Sequence, residues 1–200
     1  HWFHKGRSRR EALKRPFIPE PRSLRRLLQT GNRQKGAERE GSEGLGFRLS
    51  VWNGAEEEEA MALGIRCGAW FIPSVRNGCE LRLPDEGAVA ERLLAMPMLV
   101  RLMECMVDVW EPDFGVVSSY AYYQARPDSL KKVPFLGWFI YVSHRMGRVP
   151  LVPAPSTVTP MGTQGSLIIA TPERFDSSNP THLEATDRIA AALEAAGIRK

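Results

Sequence analysis

The chain has 200 residues, of which 43% are hydrophobic and 25% charged, so it is long enough to bury a core without covalent staples. No run approaches the ~20 apolar residues of a membrane span, which excludes a membrane-spanning class. Residues 1–40 hold 12 Lys/Arg against 4 Asp/Glu, whereas the rest of the chain holds 15 against 19. The basic character therefore belongs to the N-terminal segment and not to the body of the protein.

The cysteines indicate the cellular compartment of the protein, and the first residue bears on where its chain starts. The three cysteines, Cys67, Cys79 and Cys105, form no CxxC pair and are odd in number, which argues against a disulfide framework and favours a reducing compartment. We therefore expect a cytoplasmic protein. No signal peptide is visible, and because the chain starts at His1 we expect a preceding portion to be missing.

The N-terminal segment predicts two short helices. Ser8 is suited to cap the first, which Pro16 ends, and Gly31 is expected to close the second. Residues 31–44 are rich in Gly, Gln and charge, which predicts a mobile loop. The basic residues of this segment are either a solvated helical face or an arm for nucleic acid or an acidic partner.

Alternating apolar and polar residues then predict an antiparallel arrangement of strands. The strands are expected at 45–52, 65–71 and 80–83, with the turn dipeptides Asn53-Gly54 and Asn77-Gly78 between them. The first connection also contains four consecutive carboxylates, Glu56, Glu57, Glu58 and Glu59.

The middle of the chain predicts the main core helix. Asp85 is suited to cap a helix over 86–95, and Pro97 to occupy the first turn of a longer one. Apolar residues from Met98 to Trp110 recur at helical spacing, and Glu111-Pro112-Asp113 should stop this helix. A methionine-rich stripe of this kind indicates core packing more often than partner binding.

The last part of the chain predicts three strands and a helix. The strands are expected at 116–122, 137–143 and 166–171, and the proline-rich residues 147–161 as an extended segment between the last two. Ser178 or Asn179 should cap the final helix, and Gly197 should close it. The order of elements predicts an α+β fold, with an antiparallel or mixed sheet and helices packed on it, in a single domain over residues 1–200.

Catalytic and metal-binding patterns give no positive signal. The histidines His1, His4, His144 and His182 have no ligand spacing, and the sequence contains no nucleophile elbow, phosphate loop or dinucleotide fingerprint. We therefore expect no catalytic, cofactor or metal residues, and no enzyme. An unrecognised hydrolase would need a pocket with convergent polar groups.

The acidic run Glu56–Glu59 is the strongest interaction feature. Four carboxylates in a row can imitate the charge of phosphates and steer association with the cleft of a nuclease. The competing interpretation is a solvated, flexible loop.

Several pieces of the chain, in order, resemble the immunity protein 52 family. They are Trp2-Phe3-His4-Lys5-Gly6, Leu45-Gly46-Phe47 with Trp52-Asn53-Gly54, Cys67-Gly68, Leu83-Pro84, Trp110-Glu111-Pro112-Asp113, Gly137–Ser143 and Leu167–Phe175. The shared residues are expected to be structural, with Gly137 allowing close approach and Trp138 supplying core volume.

The resemblance implies a bacterial immunity protein of a polymorphic-toxin or type VI secretion system. Its partner would be a cognate toxin with a restriction-endonuclease-like nuclease domain, bound without direct contact to nucleic acid or membrane. Glu56–Glu59 is the first toxin-binding site that we would test, and a homo-oligomer stays open. The alternative function is a nucleic-acid-binding accessory protein that uses the basic N-terminal segment.

Overall fold

Two antiparallel four-stranded sheets and six α-helices make up the regular structure of the described residues, which are 1–34, 46–68, 77–127 and 135–199 of a computed structural model. The sequence-based prediction of an α+β fold is thereby confirmed. The chain divides into two compact units, His1–Leu93 and Leu94–Lys200, and each contains one sheet. That these units form a single domain stays a prediction.

The first unit has a sheet of order β1-β2-β3-β4 and three helices. Its elements are β1 (Phe3–His4), α1 (Arg9–Ala12), α2 (Pro21–Gln34), β2 (Phe47–Trp52), β3 (Ala62–Cys67), β4 (Gly78–Arg82) and α3 (Gly87–Leu93). The predicted alternation holds in β2, because Leu49 and Val51 are buried whereas Arg48 is exposed. Strand β3 starts earlier than predicted, and residues 69–71 of that prediction lie outside the described residues.

The N-terminal helices confirm one boundary and correct another. The Ser8 hydroxyl accepts a hydrogen bond from the Glu11 amide at 3.3 Å, so Ser8 caps α1 as predicted. Gly31 does not close α2, which continues to Gln34. One glycine costs about 1 kcal/mol inside a helix, which is far less than a proline costs and does not by itself end the helix. Residues 31–34 of the predicted mobile loop are thus helical, and residues 35–44 lie outside the described residues.

The second unit has a sheet of order β5-β6-β8-β7. Its elements are α4 (Met96–Trp110), β5 (Phe114–Val117), α5 (Tyr120–Ala125), β6 (Phe139–Ser143), β7 (Thr157–Met161), β8 (Gly165–Ile169) and α6 (Pro180–Ala195). Helix α4 has Pro97 in its first turn and ends at Trp110, before the Glu111-Pro112-Asp113 stop. Asn179 caps α6 by accepting a hydrogen bond from the Thr181 amide at 3.0 Å.

Strand β6 is the centre of the second unit, and all five of its residues are buried. It pairs with β5 on one side and β8 on the other. Ile140 and Val142 pack in one cluster with Ile189 and Leu193 of α6. A Cβ on Gly115, which lies opposite Tyr141, would be 2.8 Å from the Met103 sulfur of α4. Both faces of β6 are therefore covered, which makes it a scaffold strand.

Two predictions in the second unit are wrong in part. The strand predicted over 116–122 ends at Val117, because Ser119 caps a helix by accepting a hydrogen bond from the Tyr122 amide at 3.1 Å. The proline-rich segment predicted over 147–161 ends in strand β7, which pairs with β8. Pro160 is compatible with this strand because β7 lies at the edge of the sheet.

Candidate functional site

The acidic run lies between β2 and β3 as a hydrogen-bonded turn. Glu57–Glu59 form one turn of 3₁₀ helix, and the Asn53 side chain fastens both ends of the connection. Its Oδ1 accepts from the Met61 amide at 2.9 Å and from the Ala55 amide at 3.3 Å, while its Nδ2 donates to the Glu59 carbonyl at 2.8 Å. The sequence indicated a turn at Asn53-Gly54, and the structure adds that Asn53 organises the whole acidic connection.

The carboxylates of Glu56, Glu58 and Glu59 are exposed, and that of Glu56 faces the N-terminal segment. The Glu56 carboxylate lies 3.2 Å from Arg9 Nη1, with side chains 78% and 52% exposed respectively, so the pair contributes about 0–1 kcal/mol. Glu58 and Glu59 are exposed, and a Cβ on Gly87 would lie 3.5 Å from Glu58 Oε2. The Glu57 side chain lies outside the described residues. The structure thus places three of the four predicted carboxylates on one surface.

This surface borders a wide groove of about 1300 Å³. Its lining includes the acidic residues Glu56, Glu58 and Glu59 and the basic residues Lys5, Arg9 and Arg82. The groove is open to solvent and mixed in charge. Such a groove suits contact with a protein surface better than enclosure of a small substrate, because small-molecule sites bury most of the ligand and this groove is open.

The groove continues onto one face of the first sheet. We call this face of the sheet the open face. The strand register places its side chains in three rows. The rows are Trp52–Ala62–Arg82, next to the acidic run, then Ser50–Gly64–Glu80, and then Arg48–Arg66–Gly78. A smaller hollow of about 260 Å³ lies at the last two rows. The open face thus borders the acidic run at one end, where the charge is mixed, and carries two arginines at the other.

The basic N-terminal segment uses part of its charge internally. Arg9 pairs with Glu56, and Arg15 Nη1 donates to the Lys5 carbonyl at 3.0 Å. Arg22 and Arg25 on α2 are exposed. Aromatic side chains on which bases could stack are few here, since Phe3 packs against Trp52 and Phe17 against His4.

The structure shows the surroundings of His144 and His182, which the spacing of the histidines in the sequence did not reveal. His144 is exposed, with Nδ1 3.1 Å from the Thr163 carbonyl oxygen. His182 is buried: its Nδ1 accepts from the Asp176 amide at 2.9 Å, so its Nε2 carries the proton and donates to Glu173 Oε1 at 2.9 Å. This hydrogen bond lowers the pKa of the Glu173 carboxyl below its ordinary value.

The His182 contacts order the loop before α6 and were not predicted. The partners of His182, Asp176 and Glu173, lie six and nine residues away along the chain. No sequence motif connects these residues, so the contacts become visible only in the folded loop. Phe175 packs against His182 at 5.6 Å between ring centroids and against Tyr122 at 5.2 Å. Within the described ranges, no group of three His, Cys, Asp or Glu side chains could hold a metal ion.

Comparison with known proteins identifies a family. The family model described as "Immunity protein 52" matches residues 1–200. Among curated proteins, none matches the chain. Across the described residues, no helix has the length and apolar character needed to cross a membrane.

Proposed function

From the finding that the chain belongs to the immunity protein 52 family, we propose that it binds and neutralises a nuclease-type toxin of a bacterial secretion system. The toxin would carry a restriction-endonuclease-like domain and be delivered by a type VI or related polymorphic-toxin system. The immunity protein would act in the cytoplasm of the producing cell. Inhibition would come from tight protein–protein contact that occludes or distorts the nuclease site.

The observation that carries this proposal is the acidic run Glu56–Glu59, in which Glu56, Glu58 and Glu59 are exposed. A nuclease cleft must attract phosphates, so it presents positive charge that a cluster of carboxylates can also meet. Asn53 holds the run in a hydrogen-bonded turn before any partner arrives. Such preorganisation lowers the entropy cost of binding, and the charge raises the association rate.

A binding experiment with the product of the neighbouring gene tests both the function and the site. Wild-type protein should bind that product and abolish its nuclease activity. Changing Glu56, Glu57, Glu58 and Glu59 to Gln should weaken binding at least tenfold at low salt, mainly through slower association. The deficit should shrink at high salt, because exposed charges are then screened.

A matched control separates the acidic run from net charge. The control variant neutralises four other exposed carboxylates, those of Glu86, Glu91, Glu104 and Asp108, and should bind as the wild type does. Equal affinity of the Glu56–Glu59 variant and the wild type at low salt would show that the site is wrong. Failure of the wild type to bind or to inhibit the nuclease would overturn the function itself.

A further inference from the structure

The basic end of the open face contains an unfavourable pair of like charges. Arg48 of β2 and Arg66 of β3 lie directly opposite each other in the strand register, so their Cβ atoms are separated by only about 5 Å. Like charges in this position destabilise a sheet. Within the part of the chain that the structure describes, neither guanidinium has an ion-pair or hydrogen-bond partner. The described residues therefore keep two positive charges together with no paired anion among them.

A hollow adjoins these two arginines because two positions of the same face are glycine. A Cβ on Gly78 would meet no atom within 4 Å, and one on Gly64 would meet only the Glu80 carbonyl oxygen at 3.9 Å. Neither glycine has the positive φ that would require one. Neither close packing nor backbone conformation thus explains why these two positions are glycine. The absence of side chains there leaves the space of about 260 Å³ that Arg48, Arg66 and Glu80 border.

The nearest carboxylate on the face does not neutralise the pair. Glu80 Oε1 accepts from Arg82 Nε at 2.8 Å, on the same strand and on the side of the acidic run. Among the described residues, Arg48 and Arg66 thus keep their hydrogen-bonding groups free for the carboxylate of a partner. Planar guanidinium groups bind carboxylates through two parallel hydrogen bonds each, which makes arginine well suited to such a contact.

We call the hollow that is bordered by Arg48, Arg66, Gly64 and Gly78 the arginine hollow. We infer that it receives an acidic side chain from a surface segment of the toxin. This inference rests on the proposed function and extends it with a second contact of opposite sign. Arg48 and Trp52 are four residues apart on β2, about 13 Å along the strand. A toxin with a basic cleft and an acidic rim at this spacing would meet both ends of the open face in one orientation only.

The charge of the rest of the face favours an acidic protein segment over nucleic acid. Glu56, Glu58, Glu59 and Glu80 share the surface with the two arginines. A phosphate polymer that extended from the arginine hollow into the groove would be repelled by these carboxylates, and Lys5, Arg9 and Arg82 would offset only part of that repulsion because Arg9 and Arg82 are already paired with Glu56 and Glu80. A single Asp or Glu on a folded partner meets the arginines alone.

Paired substitutions test the arginine hollow. Arg48→Gln with Arg66→Gln should weaken binding to the product of the neighbouring gene at least tenfold at low salt, while the melting temperature stays equal or rises because the like-charge pair is removed. Arg92→Gln with Arg101→Gln changes the net charge equally at two exposed helical positions and should leave affinity unchanged. Gly78→Gln, which fills the hollow without changing charge, should weaken binding as well.

The outcomes separate the inference from the function on which it rests. If the wild type binds and inhibits the toxin and the Arg48/Arg66 variant binds equally well, the arginine hollow is not a contact while the proposed function stands. If the wild type does not bind, both fall. If the wild type shifts DNA or RNA in a gel and the Arg48/Arg66 variant does not, the occupant is a phosphate backbone and the inference is overturned.

Discussion

The indole Nε1 of Trp138 donates a hydrogen bond to the backbone carbonyl of Thr171 at 2.9 Å, and both residues are buried. Trp138 directly precedes β6, and Thr171 follows β8 closely. The bond therefore joins the two central strands beyond the end of their ladder. Trp138 lies in the scaffold of the second unit and not on an exposed binding surface.

We expect Trp138→Phe to lower the free energy of unfolding by about 1–3 kcal/mol, because the buried Thr171 carbonyl loses its donor. Chemical denaturation followed by circular dichroism measures this change. Trp110→Phe is the control, since Trp110 is 40% exposed and surface substitutions usually stay within about 0.5 kcal/mol. Equal stability of the Trp138→Phe variant and the wild type would contradict the structural role of this bond.

Gly137 allows a close approach of two backbone segments in the second unit. A Cβ at this position would lie 2.3 Å from the Val117 carbonyl oxygen, which accepts a hydrogen bond from the Trp138 amide at 2.8 Å. We expect Gly137→Ala to destabilise the protein by about 1–3 kcal/mol, because the strands must separate. Gly78→Ala, which would meet nothing within 4 Å, is the matched control and should be close to neutral. Thermal melts of the two variants decide between these outcomes.

Local signals in the sequence were enough for much of the fold. Ser8, Pro97 and Asn179 each act at the helix start that their chemistry predicts, and the apolar run at 139–143 is a central strand. These elements were predictable because a cap, a first-turn proline and a buried strand each depend on neighbouring residues.

Features that depend on distant contacts were not predictable. The two-residue strand β1 exists only because Phe3 and His4 pair with Trp52 and Val51, about 50 positions along the chain. The arginine pair and its hollow likewise need the register of β2 against β3 and β4. The acidic run was visible in the sequence, but its attachment through Asn53 was not, since a turn dipeptide does not reveal which amides its side chain will reach.

Asn53 gives a prediction about the order of the acidic run. Asn53→Ala removes one donor and one acceptor that fasten the Ala55, Glu59 and Met61 backbone, so the amides of Ala55 and Met61 should exchange with deuterium faster. Toxin binding should weaken too, because a looser loop pays more entropy on association. Asn53→Asp retains the acceptor and loses only the donor to Glu59, so its Met61 amide should stay protected. Unchanged exchange in Asn53→Ala would show that the side chain does not order the run.

The contact between His182 and Glu173 predicts acid sensitivity of the second unit. The hydrogen bond from His182 lowers the pKa of Glu173, and hydrogen bonds from the Ser178 amide and hydroxyl lower that of Asp176. The unfolded chain therefore takes up these protons at a higher pH than the native chain does. Their contribution to stability is complete above the ordinary carboxyl pKa of about 4 and is lost as pH falls through the lower folded values.

Glu173→Gln should flatten the dependence of unfolding free energy on pH below about pH 4, since one of the two shifted carboxyls is gone. His182→Gln should also flatten this pH dependence, because Glu173 loses the hydrogen bond that is the largest cause of its lowered pKa. Urea denaturation at a series of pH values from neutral to acidic gives the slopes. Asp176→Asn tests the second carboxyl separately and should leave the Glu173 component in place. A slope in Glu173→Gln as steep as in the wild type would mean that this carboxylate titrates alike in the folded and unfolded chain, against the geometry of its contact with His182.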